Sequence, residues 1–133
     1  MNYNEKVEFL RGYQIAKENA ETYTRQIEDL RDTMMPSGIH ISDMPKHPNY
    51  DDAMADYAGK FWEIQRRLER AMQTQIRVVA VINQIASTDP LGHRILTEKY
   101  VKGNKRDYIC RVLYISHDTE WRHRKAAIER LEI

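Results

Sequence analysis

Cysteine, proline and glycine are scarce in this chain, and long apolar runs are missing. Its 133 residues include one cysteine, four prolines and five glycines. The single cysteine, Cys110, excludes an intramolecular disulfide and any zinc site built from several cysteines, and it fits a reducing compartment. So few glycines and prolines leave little material for the turns of a β-rich fold. The longest uncharged apolar run, 78–82, has five residues, far short of the roughly 18–20 that span a bilayer.

Charge is abundant and unevenly placed. Residues 1–90 carry 11 Lys+Arg against 14 Asp+Glu, a net of −3, whereas residues 91–133 carry 10 against 6, a net of +4. Acidic residues near the N-terminus stand where a signal peptide has its apolar core, so we expect a cytoplasmic protein with no membrane partner. The basic last third indicates an anionic partner at the C-terminal end.

The positions of proline and of capping residues divide the chain into predicted helices. Three of the four prolines fall within residues 36–48, which predicts a loop because proline removes backbone donors. Asp89 followed by Pro90 predicts an N-cap and a first helical residue, and Ser116 predicts a second N-cap. We therefore predict an all-α fold with helices over residues 2–34, 50–86, 90–101, 105–113 and 117–131.

Both long segments carry apolar residues at alternating three- and four-residue spacing. In the second segment this seam has one polar interruption, at Gln75, and consists of Tyr50, Met54, Tyr57, Phe61, Ile64, Leu68, Ala71, Gln75, Val78, Ile82 and Ile85. The first segment repeats the pattern with one extra three-residue step, through Tyr3, Val7, Leu10, Tyr13, Ala16, Ala20, Tyr23, Ile27, Leu30 and Met34. The pattern predicts a long antiparallel, coiled-coil-like helical hairpin over residues 1–88, followed by a three-helix unit over residues 89–133. A lone hairpin buries little, so we expect a homodimer through residues 1–88. The alternative is that the short C-terminal helices cover the hairpin within one chain.

The last predicted helix combines an apolar stripe with a basic remainder. Trp121, Ile128 and Leu131 recur at helical spacing, and we expect them to face the core. The rest of that helix carries His117, Thr119, Arg122, Arg124, Lys125 and Arg130. A basic, hydrogen-bonding helix that projects from a three-helix unit is of the kind that enters a major groove. The other interpretation of these charges is an ordinary solvated face.

A family resemblance rests on the last forty residues. The residues that carry it are Arg94-Ile95-Leu96, Tyr100, Gly103, Tyr108-Ile109, Leu113, Ile115-Ser116, Thr119, Trp121-Arg122, Arg124-Lys125, Ala127-Ile128 and Leu131. This pattern resembles region 4 of sigma-70-type factors, and more closely the phage ArpU/RinA-like transcriptional regulators, which join an N-terminal helical segment to a sigma-region-4-like helix-turn-helix. The resemblance implies sequence-specific binding of double-stranded DNA and control of phage or prophage genes. It also implies the cytoplasm of a bacterial host or phage-infected cell.

The resemblance implies a DNA-binding face around the turn before the last helix. Base edges would be met, after the N-cap Ser116, by His117, Asp118, Thr119 and Arg122. Phosphates would be met by Lys105, Arg106, Arg124 and Lys125. Among these, Arg122 is the strongest candidate for a bidentate contact to guanine.

Three positions depart from the family pattern. Glu120 and His123 stand where sigma-like domains usually place apolar residues, and we expect Trp121 to supply that packing through a slight rotation of the helix. Tyr114 stands in the turn, where many helix-turn-helix proteins have glycine.

Patterns for catalysis or metal binding are weak. Cys110 follows Ile109 on a short helix and is predicted to be an inert packing thiol. His40, Asp43 and His47 share the proline-containing loop, but their spacing matches no common zinc pattern. We therefore expect no metal site, no cofactor and no enzymatic activity. Two other functions stay open: a protein that binds RNA polymerase with little DNA contact, and a small-terminase-like DNA-packaging adaptor.

Overall fold

The computed structural model describes residues 1–34 and 50–133, and within these ranges the chain forms helices and no strand. This confirms the predicted all-α fold class. A π-helical segment, Thr97–Val101, continues directly from the third helix, so the predicted helix over 90–101 consists of two helix types joined end to end. The α-helices are α1 Tyr3–Met34, α2 Tyr50–Asn83, α3 Pro90–Leu96, α4 Arg106–Leu113 and α5 His117–Arg130.

The two long helices, α1 and α2, pack closely as a helical hairpin. The predicted seams supply its buried residues, which are Leu10, Ala16, Ile27, Ala71, Val78 and Ile82. By their contacts the residues group into two compact units, the first of residues 1–17 and 73–133 and the second of residues 18–72. The sequence predicts a self-association hairpin over residues 1–88 and a DNA-binding unit over residues 89–133. In the structure, the start of α1 and the end of α2 pack with the C-terminal helices.

The core of the first unit brings together α1, α2, α3 and α5. Its buried members are Leu10, Val78, Ile82, Ile85, Leu96, Tyr100, Ala127, Ile128 and Leu131. Tyr3, Val7 and Phe9 pack against this core from α1. The C-terminal helices therefore cover this part of the hairpin within one chain, which was the alternative to covering by a second copy.

The second unit buries much less. Among its described side chains, Ile27 and Ala71 are buried. The large seam residues of α2 in this unit, Phe61, Ile64 and Leu68, are only half-buried. Two helices expose too much of a wide seam to cover it by themselves, so this unit retains accessible apolar surface.

Two helices of the first unit begin at the predicted N-caps. The Asp89 carboxylate accepts a hydrogen bond from the Gly92 backbone N–H at 3.0 Å, with Pro90 as first helical residue of α3. The Ser116 hydroxyl accepts from the Thr119 N–H at 3.1 Å at the start of α5. Each cap satisfies a donor that the first helical turn leaves unpaired.

The end of the π-helical segment is capped by a side chain from α1. The Gln14 amide donates from Nε2 to the carbonyl oxygens of Tyr100, at 3.2 Å, and Val101, at 2.7 Å. Gly103, two residues beyond the segment, adopts a φ of 71°, a left-handed conformation that glycine tolerates without strain. A long-range side chain thus supplies partners for carbonyls at the end of a helix, where the helix itself provides none.

Gly92 sets the distance between α3 and α5. A Cβ atom at this position would lie 2.8 Å from the Ala127 Cβ and 2.7 Å from the Asp89 Cγ. We expect Gly92→Ala to lower the free energy of unfolding by about 1–3 kcal/mol, because the two helices or the cap must shift. Denaturant unfolding followed by circular dichroism measures this change.

Gly59 on α2 provides the matched control. A Cβ built there meets no atom within 4 Å, so Gly59→Ala should raise stability by about 0.5–1 kcal/mol through helix propensity alone. A Gly92→Ala variant that gains stability like Gly59→Ala would contradict the close approach of α3 and α5.

Candidate nucleic-acid interface

A tight turn joins α4 to α5. Tyr114, directly after α4, adopts φ 55° and ψ 45°, the left-handed region, and its side chain is 95% exposed. The backbone N–H groups of Tyr114 and Ile115 both donate to the carbonyl oxygen of Cys110. The predicted turn is therefore present, and tyrosine adopts there a conformation that usually favours glycine.

The turn is followed by α5, which has one face in the core and one in solvent. The buried face consists of Glu120, Ala127 and Ile128, with Leu131 just beyond the helix. Five exposed residues on the side that adjoins this buried face form what we call the α5 solvent face: His117, Asp118, Trp121, Arg122 and Lys125. Their spacing of one, three, one and three residues places them along one side of a helix with 3.6 residues per turn. His123, Glu129 and Arg130 are exposed elsewhere on the helix.

The expected position of Trp121 in the apolar stripe is wrong. Trp121 is 45% exposed, whereas Glu120 beside it is fully buried. Ile128 and Leu131 are buried as expected, and about two turns before Ile128 the carboxylate of Glu120, not the indole of Trp121, occupies the inward position. A buried carboxylate is tolerated only when charged or hydrogen-bonding partners compensate it, and two arginines do so here.

The Glu120 carboxylate lies between Arg124 and Arg106. Arg124 donates from Nε to Oε1 at 2.8 Å, and its side chain is only 16% exposed. Arg106, at the start of α4, forms an ion pair from Nε to Oε2 at 3.3 Å, although these two atoms do not align for a hydrogen bond. Arg106 also donates from Nη2 to the carbonyl oxygen of His117 at 2.6 Å. This cluster, the Glu120 clamp, ties α4 to the first turns of α5.

A second buried carboxylate, Glu98, organises the turn that precedes α4. Its Oε1 accepts from Lys102 Nζ at 3.0 Å and its Oε2 from Asn104 Nδ2 at 2.6 Å. The Asn104 backbone N–H donates to the Glu98 carbonyl oxygen at 2.9 Å. The hydrogen bond from Lys102 lowers the pKa of the Glu98 carboxyl below its ordinary value of 4.5, although burial acts in the opposite direction.

Six of the nine predicted DNA-contacting residues are exposed and three are half-buried. The exposed ones are Lys105, Ser116, His117, Asp118, Arg122 and Lys125; the half-buried ones are Arg106, Thr119 and Arg124. Arg106 and Arg124 neutralise Glu120, and the Thr119 hydroxyl lies 2.8 Å from the Ser116 hydroxyl. These three side chains have partners within the protein, and their contacts with DNA stay predictions.

The exposed members of the site hold one another in place. Arg122 Nε lies 3.1 Å from the Asp118 carboxylate, and His117 Nε2 lies 3.0 Å from the carboxylate of Asp107 on α4. The Lys125 ammonium lies 5.2 Å from the centre of the Trp121 ring. Such exposed pairs are weak, so their side chains can exchange these partners for a ligand.

Sequence reasoning missed two groups of residues around the turn. Trp121 belongs to the α5 solvent face. The signal that could have located it is the pair Ala127 and Ile128: if these two residues alone are used to orient the helix, Trp121 lies outside the core. On α4, Tyr108 is 43% exposed and the Arg111 guanidinium lies 5.9 Å from its ring centre. Tyr114, three residues after Arg111, is also exposed, so α4 and the turn after it carry exposed aromatic and basic side chains that no motif in the sequence indicated.

The described residues contain neither a metal-binding cluster nor a membrane-spanning helix. In residues 1–34 and 50–133 no group of three His, Cys, Asp or Glu side chains could hold a metal ion, and no helix there is long and apolar enough to cross a membrane. His40, Asp43 and His47 lie outside the described residues. Cys110 is buried as predicted, and burial raises the pKa of its thiol.

No family model, curated protein or solved structure matches this chain.

The Glu120 clamp yields a prediction with a control on the same helix. We expect Glu120→Gln to lower the free energy of unfolding by about 2–3 kcal/mol, because it leaves the half-buried Arg124 without its charge partner. Asp118→Asn removes a carboxylate paired with an arginine four residues later, but in an exposed position, and should cost less than about 1 kcal/mol. Denaturant unfolding of both variants measures the difference, and equal losses would contradict the burial of Glu120.

The Glu98 carboxyl yields a prediction of pH dependence. Its pKa is lowered in the folded state, so its contribution to stability is present above its ordinary pKa and disappears as pH falls through the lowered one. In the Glu98→Gln variant, stability should depend less on pH over the acid side of 4.5. Urea unfolding at a series of pH values tests this, and an unchanged acid slope would contradict it.

Proposed function

We propose that this protein is a sequence-specific DNA-binding transcriptional regulator of phage or prophage genes, which reads the major groove with α5. The observation that carries the proposal is the α5 solvent face, presented directly after the α4–α5 turn. A second helix joined to a first by a turn of three to four residues is typical of the helix-turn-helix. Its N-terminal residues are the ones that meet base edges in that motif.

The dimensions and inner packing of α5 support this role. Its 14 residues correspond to about 21 Å of helix, and the major groove admits an α-helix. The Glu120 clamp and the burial of Ala127 and Ile128 hold α5 against the rest of the first unit. A recognition helix held in this way keeps its exposed side chains in a defined register against the bases.

Within the α5 solvent face, Arg122 and Asp118 are the side chains suited to hydrogen bonds with the edges of DNA bases. A guanidinium is suited to the O6 and N7 acceptors of guanine, and a carboxylate accepts from the N4 amino group of cytosine. Their mutual ion pair is exposed, with 64% and 77% of the two side chains accessible. Because such a pair is worth only about 0.3 kcal/mol, breaking it to contact DNA costs little.

The proposal includes a homodimer formed through the helical hairpin. The supporting observation is the half-buried seam of the second unit, which a second hairpin would cover in a four-helix arrangement. A net charge of +4 over residues 91–133 provides few phosphate contacts per subunit, and linking two such units raises their combined affinity. A particle of many subunits in light scattering would instead favour the packaging adaptor.

Selection from random duplex DNA at about 150 mM salt tests the function, since sequence and salt separate base readout from charge attraction. We expect an enriched motif with two half-sites. Arg122→Ala should lose discrimination at one G·C pair by roughly five- to 150-fold. Arg11→Ala removes another exposed arginine, paired with Glu8 at 2.9 Å on α1, and should leave the motif unchanged.

The absence of an enriched motif from a folded protein would overturn DNA readout. A second candidate function is then binding to RNA polymerase with little DNA contact. The exposed side chains of Tyr108, Arg111 and Tyr114 favour it, because tyrosine and arginine are enriched in the energetically dominant parts of protein interfaces.

A further inference from the structure

We propose that Trp121 determines specificity by packing against the C5-methyl group of a thymine in the major groove. This inference rests on the proposed DNA-binding function and extends it to the identity of a second base. It concerns a residue that sequence reasoning placed in the core and the structure places on the surface.

Trp121 occupies the middle of the α5 solvent face. His117 lies about one turn before it and Lys125 about one turn after it, and all three are exposed. Since α-helical positions four residues apart lie on one side, a groove that receives His117 and Lys125 receives Trp121 between them. An isolated exposed tryptophan needs no explanation, but one at the centre of the proposed contact face meets whatever the helix docks on.

The indole leaves part of its surface accessible. Trp121 is 45% exposed, and the Lys125 ammonium lies 5.2 Å from the ring centre. This exposed cation–π contact is weak, so Lys125 can move away when a ligand approaches the ring. Because a tryptophan side chain has only two rotatable bonds, ordering it in an interface costs little entropy.

Of the groups that bases present in the major groove, the thymine methyl is the one that suits the apolar ring of Trp121. An indole has a single polar atom, the N–H donor, and is otherwise apolar. In the major groove the bases present acceptors and donors, with one apolar group, the thymine methyl. An indole laid over the other base edges would remove water from polar groups without replacing their hydrogen bonds. Because Trp121 directly precedes Arg122, the thymine should neighbour the guanine that Arg122 contacts.

Replacing thymine by uracil in the selected DNA removes this methyl group and nothing else. Each thymine of the enriched motif is replaced in turn, and binding is measured by fluorescence anisotropy of the labelled duplex. For the unaltered protein we expect a three- to fivefold loss of affinity at one position, as the burial of one methyl group implies. That position should adjoin the base pair at which Arg122→Ala loses discrimination.

Variants of Trp121 assign the effect to its ring. Trp121→Ala should bind thymine and uracil duplexes equally, whereas Trp121→Phe, which keeps an apolar ring, should still prefer thymine. Trp62→Ala removes the other tryptophan, which is 63% exposed on α2, and should leave the preference unchanged. Thermal unfolding of each variant confirms that it is folded.

The outcomes separate this inference from the function on which it rests. A motif that depends on Arg122 but shows no thymine preference, or a preference that Trp121→Ala retains, overturns the role of Trp121 and leaves DNA readout intact. If selection yields no motif at all, the proposed function fails and this inference fails with it.

Discussion

The buried carboxylate of Glu120 is the constraint on which the candidate site depends. A fully buried negative charge is stable only when its partners are close, and here Arg124 approaches from the following turn of α5 and Arg106 from α4. Together with the buried side chains of Ala127 and Ile128, these ion pairs hold α5 in an orientation that leaves Trp121, Arg122 and Lys125 exposed. The identity of the exposed residues therefore depends in part on an electrostatic requirement inside the protein.

The same constraint reduces the charge available for binding. Arg106 and Arg124 count toward the basic balance of the last third of the chain, but both neutralise Glu120 within the fold. The exposed cations of α5 are then Arg122, Lys125 and Arg130, the last of which pairs with Asp89. Lys105 and Arg111 are exposed just before and on α4. Under the proposed function, such a modest cationic surface would favour recognition by a few base contacts and by two copies of the site over strong attraction to phosphates.

Local signals in the sequence predicted the secondary structure well because each acts over a few residues. Asp89 and Ser116 cap helices as expected, since a short polar side chain before a helix meets donors only three residues away. The spacing of the seams predicted the hairpin for the same reason: helical periodicity brings those residues to one side whatever lies opposite. The change from α- to π-helix at Thr97 and the capping of Tyr100 and Val101 by Gln14 have no such local signal.

The prediction that placed Trp121 in the core used hydrophobicity alone, and it oriented this side chain wrongly. Tryptophan is the more apolar member of the Glu120–Trp121 pair, and a pattern-based interpretation therefore places it inside. The error arises because a buried glutamate depends on partners whose proximity the fold creates: Arg106 is 14 positions away along the chain and approaches through the α4–α5 turn.

By itself, the sequence determined that this protein is helical, where several of its helices begin, and which sides of the long helices pack together, since these properties follow from neighbours within one or two turns. Only the tertiary structure decided which ends of the hairpin the C-terminal helices cover, which arginines remain inside and which face of α5 meets solvent. Those outcomes depend on pairs of residues far apart in the chain, such as Gly92 with Ala127 and Arg106 with Glu120. The attraction between Arg106 and Glu120 gains strength because folding buries the carboxylate away from water.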